Sequence, residues 1–246
     1  MSYDGLTAEE LCRVLGAPRC ECFESVGSTL DVVHRLAADG APAGTIVLAD
    51  EQVAGRGRRG RRWLSPPRTG IWLGFLARPN ARPESGVMAL RVGLAVVESL
   101  GDLGAAAQLK WPNDVVLCDR KLGGILCEAR WRESHPAWVA LGIGLNVHGP
   151  LPEGLVSEAA VLEEALPEVT RLAVLERLVP RLGALHDAAE LDRGEVEMYG
   201  KHDWLKGRRV TEPMEGVARG VAPDGALLVE TEVGLERIVG GGIVAA

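Results

Sequence analysis

Residues 55 to 62 read Gly-Arg-Gly-Arg-Arg-Gly-Arg-Arg and run into Trp63. Five arginines on a glycine-interrupted backbone make an anion site: glycine lets the chain wrap closely around a ligand, and each planar guanidinium donates paired hydrogen bonds to phosphate or carboxylate oxygens. Gly55, Gly57 and Gly60 also satisfy a literal G-x-G-x-x-G. A dinucleotide site would need a helix to start inside that motif, and Trp63-Leu-Ser-Pro-Pro67 blocks helix propagation. No G-x-x-x-x-G-K-[ST] occurs, which excludes a Walker-type phosphate loop.

Two further runs carry groups of the same chemistry. One is Lys110-Trp111-Pro112-Asn113-Asp114, followed by Lys121-Leu122-Gly123-Gly124-Ile125-Leu126-Cys127-Glu128; the other is Gly142-Ile143-Gly144-Leu145-Asn146-Val147. Taken singly, each has a plain structural reading. Lys110 and Asp114 form a surface pair, Lys121 a solvated turn lysine, and the glycines allow close strand packing.

The elements that must position these groups follow from periodicity. Thr7-Ala-Glu-Glu10 is a capping box before a short first helix. A strand is predicted over Glu21 to Val26, then a helix capped by Ser28 or Thr29 and closing at Gly40. Thr45 to Ala49 and Ile71 to Ala77 read as strands, which puts the arginine loop between them. The apolar stripe of 84–103 predicts a long helix packed on a sheet. Gln108 to Trp111, Val115 to Cys118, Leu122 to Trp131 and Trp138 to Val147 read as an antiparallel meander. Thr170 to Leu191 is helical, kinked or split at Pro180. Short strands beyond Trp204 predict a small SH3-like β-barrel. The division is therefore 1–203 and 204–246. The fold class is α+β, a mixed, mainly antiparallel sheet with flanking helices.

The formal charge is -7, from Lys+Arg 27 against Asp+Glu 34. The basic cluster is thus a local site on an acidic protein, and a broad nucleic-acid surface is excluded. Five cysteines without a Cys-x-x-Cys pair read as reduced thiols, and no apolar run approaches a membrane span. The N-terminus lacks a basic start followed by an apolar stretch, so a cytoplasmic location is expected. Five scattered histidines show no metal-ligand spacing, and no metal site is expected.

Together and in this order, the motifs resemble the biotin protein ligases, over essentially the whole chain. Gln52 through Trp63 matches the family's arginine loop, and Lys-Trp-Pro-Asn-Asp, Lys-Leu-Gly-Gly-Ile-Leu-x-Glu and Gly-Ile-Gly-x-Asn-Val are intact. The resemblance implies a sheet related to class II aminoacyl-tRNA synthetases. It also implies two steps: biotin and ATP give biotinyl-5'-AMP, and the biotinyl group then passes to a lysine of a biotin carboxyl carrier protein domain of an acyl-CoA carboxylase. Mg²⁺ would accompany ATP. By resemblance, Ser28, Thr29, Leu30, Gln52, Arg56, Gly57, Arg58, Lys121, Gly123 and Gly124 meet biotin or its acyl phosphate. Arg56, Arg58, Arg61, Trp63, Lys110, Asn113 and Asn146 form the nucleotide side, with Trp63 stacked on adenine. Leu30 stands where the family usually has asparagine.

Lys121, Arg58 and Asp114 are the catalytic candidates. Cations must offset the repulsion between a carboxylate and the nucleotide's phosphates. Transfer needs a neutral amine, and a free lysine is neutral in only about one molecule in 2,500 at pH 7. Asp114, on the strand beside Lys121, is the candidate base; alternatively it only orients Lys110 or caps the turn. The loop itself is expected to be self-repelling until an acyl phosphate neutralises it, then to close and keep water from the mixed anhydride. A lipoate-protein ligase is the rival enzyme. A nucleic-acid-binding repressor is the rival of another class, for which no helix-turn-helix segment is read ahead of the core and no DNA binding is expected. Oligomeric state stays open, with a homodimer as one option.

Overall fold

The computed structural model describes residues 2–79, 85–132, 135–151 and 158–245. A small hairpin, β1 (Ser2–Tyr3) and β2 (Leu6–Thr7), leads into α1 (Ala8–Leu15), whose capping box pairs Thr7 with Glu10. The chain continues through β3 (Cys20–Val26), α2 (Thr29–Ala38), β4 (Ile46–Gln52), β5 (Gly70–Ala77), α3 (Ser85–Gly101), β6 (Gln108–Lys110), β7 (Asp114–Leu117), β8 (Arg120–Arg132) and β9 (His135–Asn146). The seven strands β3 to β9 form one sheet in the order β3-β4-β5-β9-β8-β7-β6. Only β3 and β4, joined through α2, run parallel; the remaining ladders are antiparallel, including the predicted meander.

Period-two alternation sorts side chains to the two faces of this sheet. Ile46, Leu48, Ile71, Leu73, Ile143 and Leu145 join the large core with α1, α3 and α4 (Arg171–Gly183). Val47, Leu76 and Ala140 point the other way, into a small cluster under α2. On that second face β9 presents Gly142 and Gly144. A Cβ on Gly142 would lie 2.9 Å from Leu30 Cδ1, and one on Gly144 only 2.5 Å from Trp63 Nε1. The alternating Gly-Ile-Gly-Leu run therefore builds a filled core on one side and a bare floor on the other.

Two helices differ from the sequence reading. The long helix predicted from Thr170 stops at Gly183, with Pro180 in its last turn, and α5 (Arg193–His202) follows as a separate, unpredicted helix. Its sequence, Arg-Gly-Glu-Val-Glu-Met-Tyr-Gly-Lys-His, has almost no apolar stripe. It is held instead by a second capping box, Asp192 with Glu195, by fully buried Tyr199, and by buried Arg91 of α3. Arg91 donates to both oxygens of Glu195, at 2.6 and 2.9 Å, and to the carbonyls of Ala188 and Glu190. For the predicted helix over 84–103, Glu84 lies outside the described residues, and the rest is α3 and the turn after it.

The C-terminal strands are β10 (Arg209–Glu212), β11 (Gly216–Val221), β12 (Leu227–Thr231), β13 (Gly234–Ile238) and β14 (Val244–Ala245), ordered β13-β12-β11-β10-β14 and all antiparallel. This is the strand content of an SH3-like module. Among the described residues no ladder joins β13 to β14, so the expected barrel is an open sheet. It is tied to the larger sheet by Trp111 Nε1, which donates to Gly225 O at 2.9 Å, and by Trp204 N, which donates to Leu109 O at 2.9 Å.

Candidate active site

The glycine floor, the arginine loop, the turn between β6 and β7 and the last C-terminal residues enclose a cavity of about 470 Å³. It collects every candidate binding or catalytic residue named from the sequence except two. Asn146 lines an adjoining cavity of about 370 Å³, which shares Arg62, Trp63, Lys110, Asp114 and Lys121 with the first. Gly123 faces the core: a Cβ there would meet Leu145 Cδ2 at 2.5 Å, so its role is close strand packing rather than contact with a ligand.

The wall beside α2 is built on Gln52, the last residue of β4. Its Oε1 accepts from Thr29 N at 2.9 Å and Thr29 Oγ1 at 3.1 Å, and its Nε2 donates to Ser65 Oγ at 2.9 Å. The side-chain amide thereby caps α2, where Ser28 makes no side-chain cap bond of its own. Leu30 is buried against Gly142 and belongs to the apolar cluster under α2, so the position that is asparagine in the family contributes packing here.

Arg56 lies against two carboxylates. Its Nε and Nη2 donate to Glu128 Oε1 and Oε2 at 3.2 and 3.1 Å, and Nη1 donates to Asp31 Oδ1 at 2.5 Å. His34 and Arg56 together pull the Glu128 pKa down to about 2, with the His34 hydrogen bond the largest cause. The expectation of a self-repelling loop counted arginines and overlooked these two anions. The loop is a short hairpin with a 3₁₀ turn at Arg58–Gly60, closed by Gly57 N donating to Arg61 O at 2.8 Å and Trp63 N donating to Gly55 O at 2.9 Å.

The opposite wall holds its charges differently. Lys121 Nζ donates to Asp114 Oδ1 at 2.7 Å and sits 5.4 Å from the centre of the Trp63 ring. Asp114 thus meets Lys121, while the Lys110 ammonium lies 4.8 Å over Trp204; the alternative in which Asp114 orients Lys110 is not what the fold builds. Arg58 is part-buried and donates to Asn113 Oδ1 at 3.2 Å. Burial and the neighbouring Arg59 both push its pKa down, in that order, which marks a cation held at some cost. Trp63 Nε1 is buried and has no hydrogen-bond partner among the described residues.

Sequence reasoning gave no role to Asp31, His34 or Glu128, which stand behind Arg56, or to the C-terminal residues Glu212 and Gly241 to Val244, which complete the cavity. A signal for Glu128 existed. In a strand, Gly124, Leu126 and Glu128 share one face, so a carboxylate two steps beyond two cavity-lining positions belongs on that same face.

A family model described as the biotin/lipoate A/B protein ligase family matches residues 22–146. The chain belongs to this family. A second model, described as the biotin protein ligase C terminal domain, matches residues 206–245. The bifunctional ligase/repressor BirA of Bacillus subtilis is 31% identical over 226 residues, covering 87% of this chain and 70% of that protein. A biotin--[acetyl-CoA-carboxylase] ligase of Mycobacterium tuberculosis is 33% identical over 240 residues, 87% of this chain and 84% of the relative. Among solved structures, the biotin protein ligase from Aquifex aeolicus in complex with biotin and ATP superposes with a TM-score of 0.76 at 29% identity, covering 93% of this chain and 99% of that one. The first ligase match spans β3 to β9 and both walls of the cavity, whereas α4 and α5 fall between the two matched regions.

Proposed function

We propose that this chain is an ATP-dependent biotin protein ligase that makes biotinyl-5'-AMP and transfers the biotinyl group to a lysine of a biotin carboxyl carrier domain of an acyl-CoA carboxylase. One observation carries the reading: a single cavity joins a wall of oriented donors to a wall of under-neutralised cations. That arrangement suits two anions which must be brought together, a carboxylate and a nucleotide.

In the first step a biotin carboxylate oxygen attacks the α-phosphorus and pyrophosphate leaves. Ser28, Thr29, Gln52, Arg56, Gly57 and Gly124 orient biotin. Arg58, Lys121 and Arg61 carry positive charge to the phosphates, where charge builds toward the leaving group. Trp63 stacks on adenine, with Lys110, Asn113 and Asn146 at the nucleotide end. Mg²⁺ would accompany the nucleotide as part of that substrate. In the second step the acceptor amine attacks the acyl carbon of the mixed anhydride and AMP leaves. Asp114 takes the amine proton. Residues 1–203 supply this chemistry, and 204–246 close the cavity through Glu212 and the segment at 241–244.

The same reading puts the enzyme in the cytoplasm, where its five free thiols stay reduced; no described helix is long and apolar enough to cross a membrane. It binds no DNA through the loop, because the loop arginines line the cavity. Biotin-dependent exchange of labelled pyrophosphate into ATP tests the proposal. Exchange with lipoate and none with biotin would overturn it, and salt-sensitive sub-micromolar DNA binding in a gel shift would favour a repressor.

A further inference from the structure

We infer that His34, locked by Trp138, is a positioning residue that sets the donor geometry of Arg56 through Glu128. This rests on the reading that Arg56 meets the carboxylate of biotin or its acyl phosphate. Neither His34 nor Trp138 lines the cavity, so any effect they have on the ligand passes through the groups between.

Each link is an oriented hydrogen bond. Trp138 Nε1 can only donate, and it lies 2.9 Å from His34 Nδ1. That ring nitrogen is therefore the acceptor, and the imidazole proton sits on Nε2, which donates to Glu128 Oε2 at 2.8 Å. Trp138 is fixed in turn by Arg78, whose guanidinium lies 6.0 Å from the indole centre and donates to the carbonyls of Ala37, Ala41 and Ala137. The chain from β9 through α2 and β8 to the arginine loop is thus anchored at its far end to backbone.

Charge counting shows why orientation matters at Arg56. Glu128 and Asp31 outnumber it by one, so this corner offers an incoming anion no net positive charge. Of the five guanidinium N-H groups, three are committed to the two carboxylates, and one remains on each terminal nitrogen. Arg56 can help an anion only by aiming those two donors. A carboxylate free to rotate would let the guanidinium swing, whereas Glu128 held from behind by His34 does not rotate.

The test uses the full chain and pyrophosphate exchange, with KM measured separately for biotin and ATP in His34→Leu, His34→Gln and Trp138→Phe. His34→Leu should raise the biotin KM about tenfold while leaving the ATP KM and kcat within about twofold. His34→Gln, whose amide nitrogen can replace Nε2 as donor to Glu128, should return the biotin KM to within about twofold of wild type. Trp138→Phe keeps an aromatic ring but loses the donor, and should raise the biotin KM about threefold; it carries the test if His34→Leu does not fold. An unchanged biotin KM in both His34→Leu and Trp138→Phe overturns the inference. So does a glutamine variant as damaged as the leucine one, or a parallel rise in both KM values, since either would mean a packing role. Wild-type protein that shows no biotin-dependent exchange overturns the functional reading and this inference with it.

Discussion

The two walls of the cavity meet charge in opposite ways. On the α2 side, the Gln52 amide is fixed by Thr29 and Ser65, and Arg56 is over-neutralised by Glu128 and Asp31. On the Trp63 side, Arg58 is desolvated beside another arginine, and among the described residues Lys121 has one carboxylate partner and the buried Trp63 N-H has none. The first wall is finished by the protein, and the second is left for a ligand to finish. A site that must bring two anions together gains from this division: one anion is oriented by aimed donors, and the other is stabilised by charge that has no better partner.

Breaking the charged wall should have the largest effects. Lys121→Met is expected to lower the rate of exchange by about a thousandfold, because it removes a cation from the phosphates and leaves Asp114 unpaired. Arg58→Ala should lower it about a hundredfold and make the enzyme release its adenylate sooner, read by filter binding of labelled biotinyl-AMP. Biotin affinity without nucleotide should stay within about threefold of wild type, by calorimetry. If Arg58→Ala lost biotin affinity and adenylate retention equally, the two walls would not be separate devices.

Breaking the finished wall should instead act on biotin and on stability. Glu128→Gln is expected to raise the biotin KM about thirtyfold with little change for ATP. Linkage gives the sign of its stability effect. The Glu128 pKa falls from about 4.5 to about 2 on folding, so its contribution is present above pH 4.5 and is lost as pH falls toward 2. Urea unfolding should show the variant about 2 kcal/mol weaker at pH 7, with the gap closing by about pH 2.

The smallest effect is a control away from both walls. Asp203, at the seam between the sheets, accepts from Leu205 N at 2.9 Å, but its second oxygen is buried without a partner among the described residues. Burial raises its pKa to about 6. Its contribution is therefore full below about pH 3.8 and is lost as pH rises through 6. Asp203→Asn should stabilise the protein by about 1 kcal/mol at pH 7.5, not at pH 4, and leave exchange unchanged. A loss of exchange would show that the seam transmits strain to the cavity.

Much of this was legible along the chain because the relevant forces are local. The first capping box, the meander and the placement of the arginine loop between two strands follow from turn chemistry and period-two alternation, which also puts Gly142 and Gly144 on one face. Gly123 was misplaced by a single step of that alternation: it was grouped with Gly124 as a ligand contact, yet neighbouring strand residues face opposite sides.

The sequence by itself determined which groups this protein brings to its chemistry: the arginines, Lys121, Asp114, Trp63 and the amide of Gln52. Only the tertiary structure decided how each is held. Arg56 meets a carboxylate 72 residues away on β8, and His34 reaches the same carboxylate from 94 residues away. The cavity is also closed in part by residues 241 to 244, which lead into β14 of a different sheet. Propensity and periodicity act between near neighbours, whereas such partners are set by strand register and by helix packing. The number of arginines could therefore be counted in the sequence, while their net charge at the site could not.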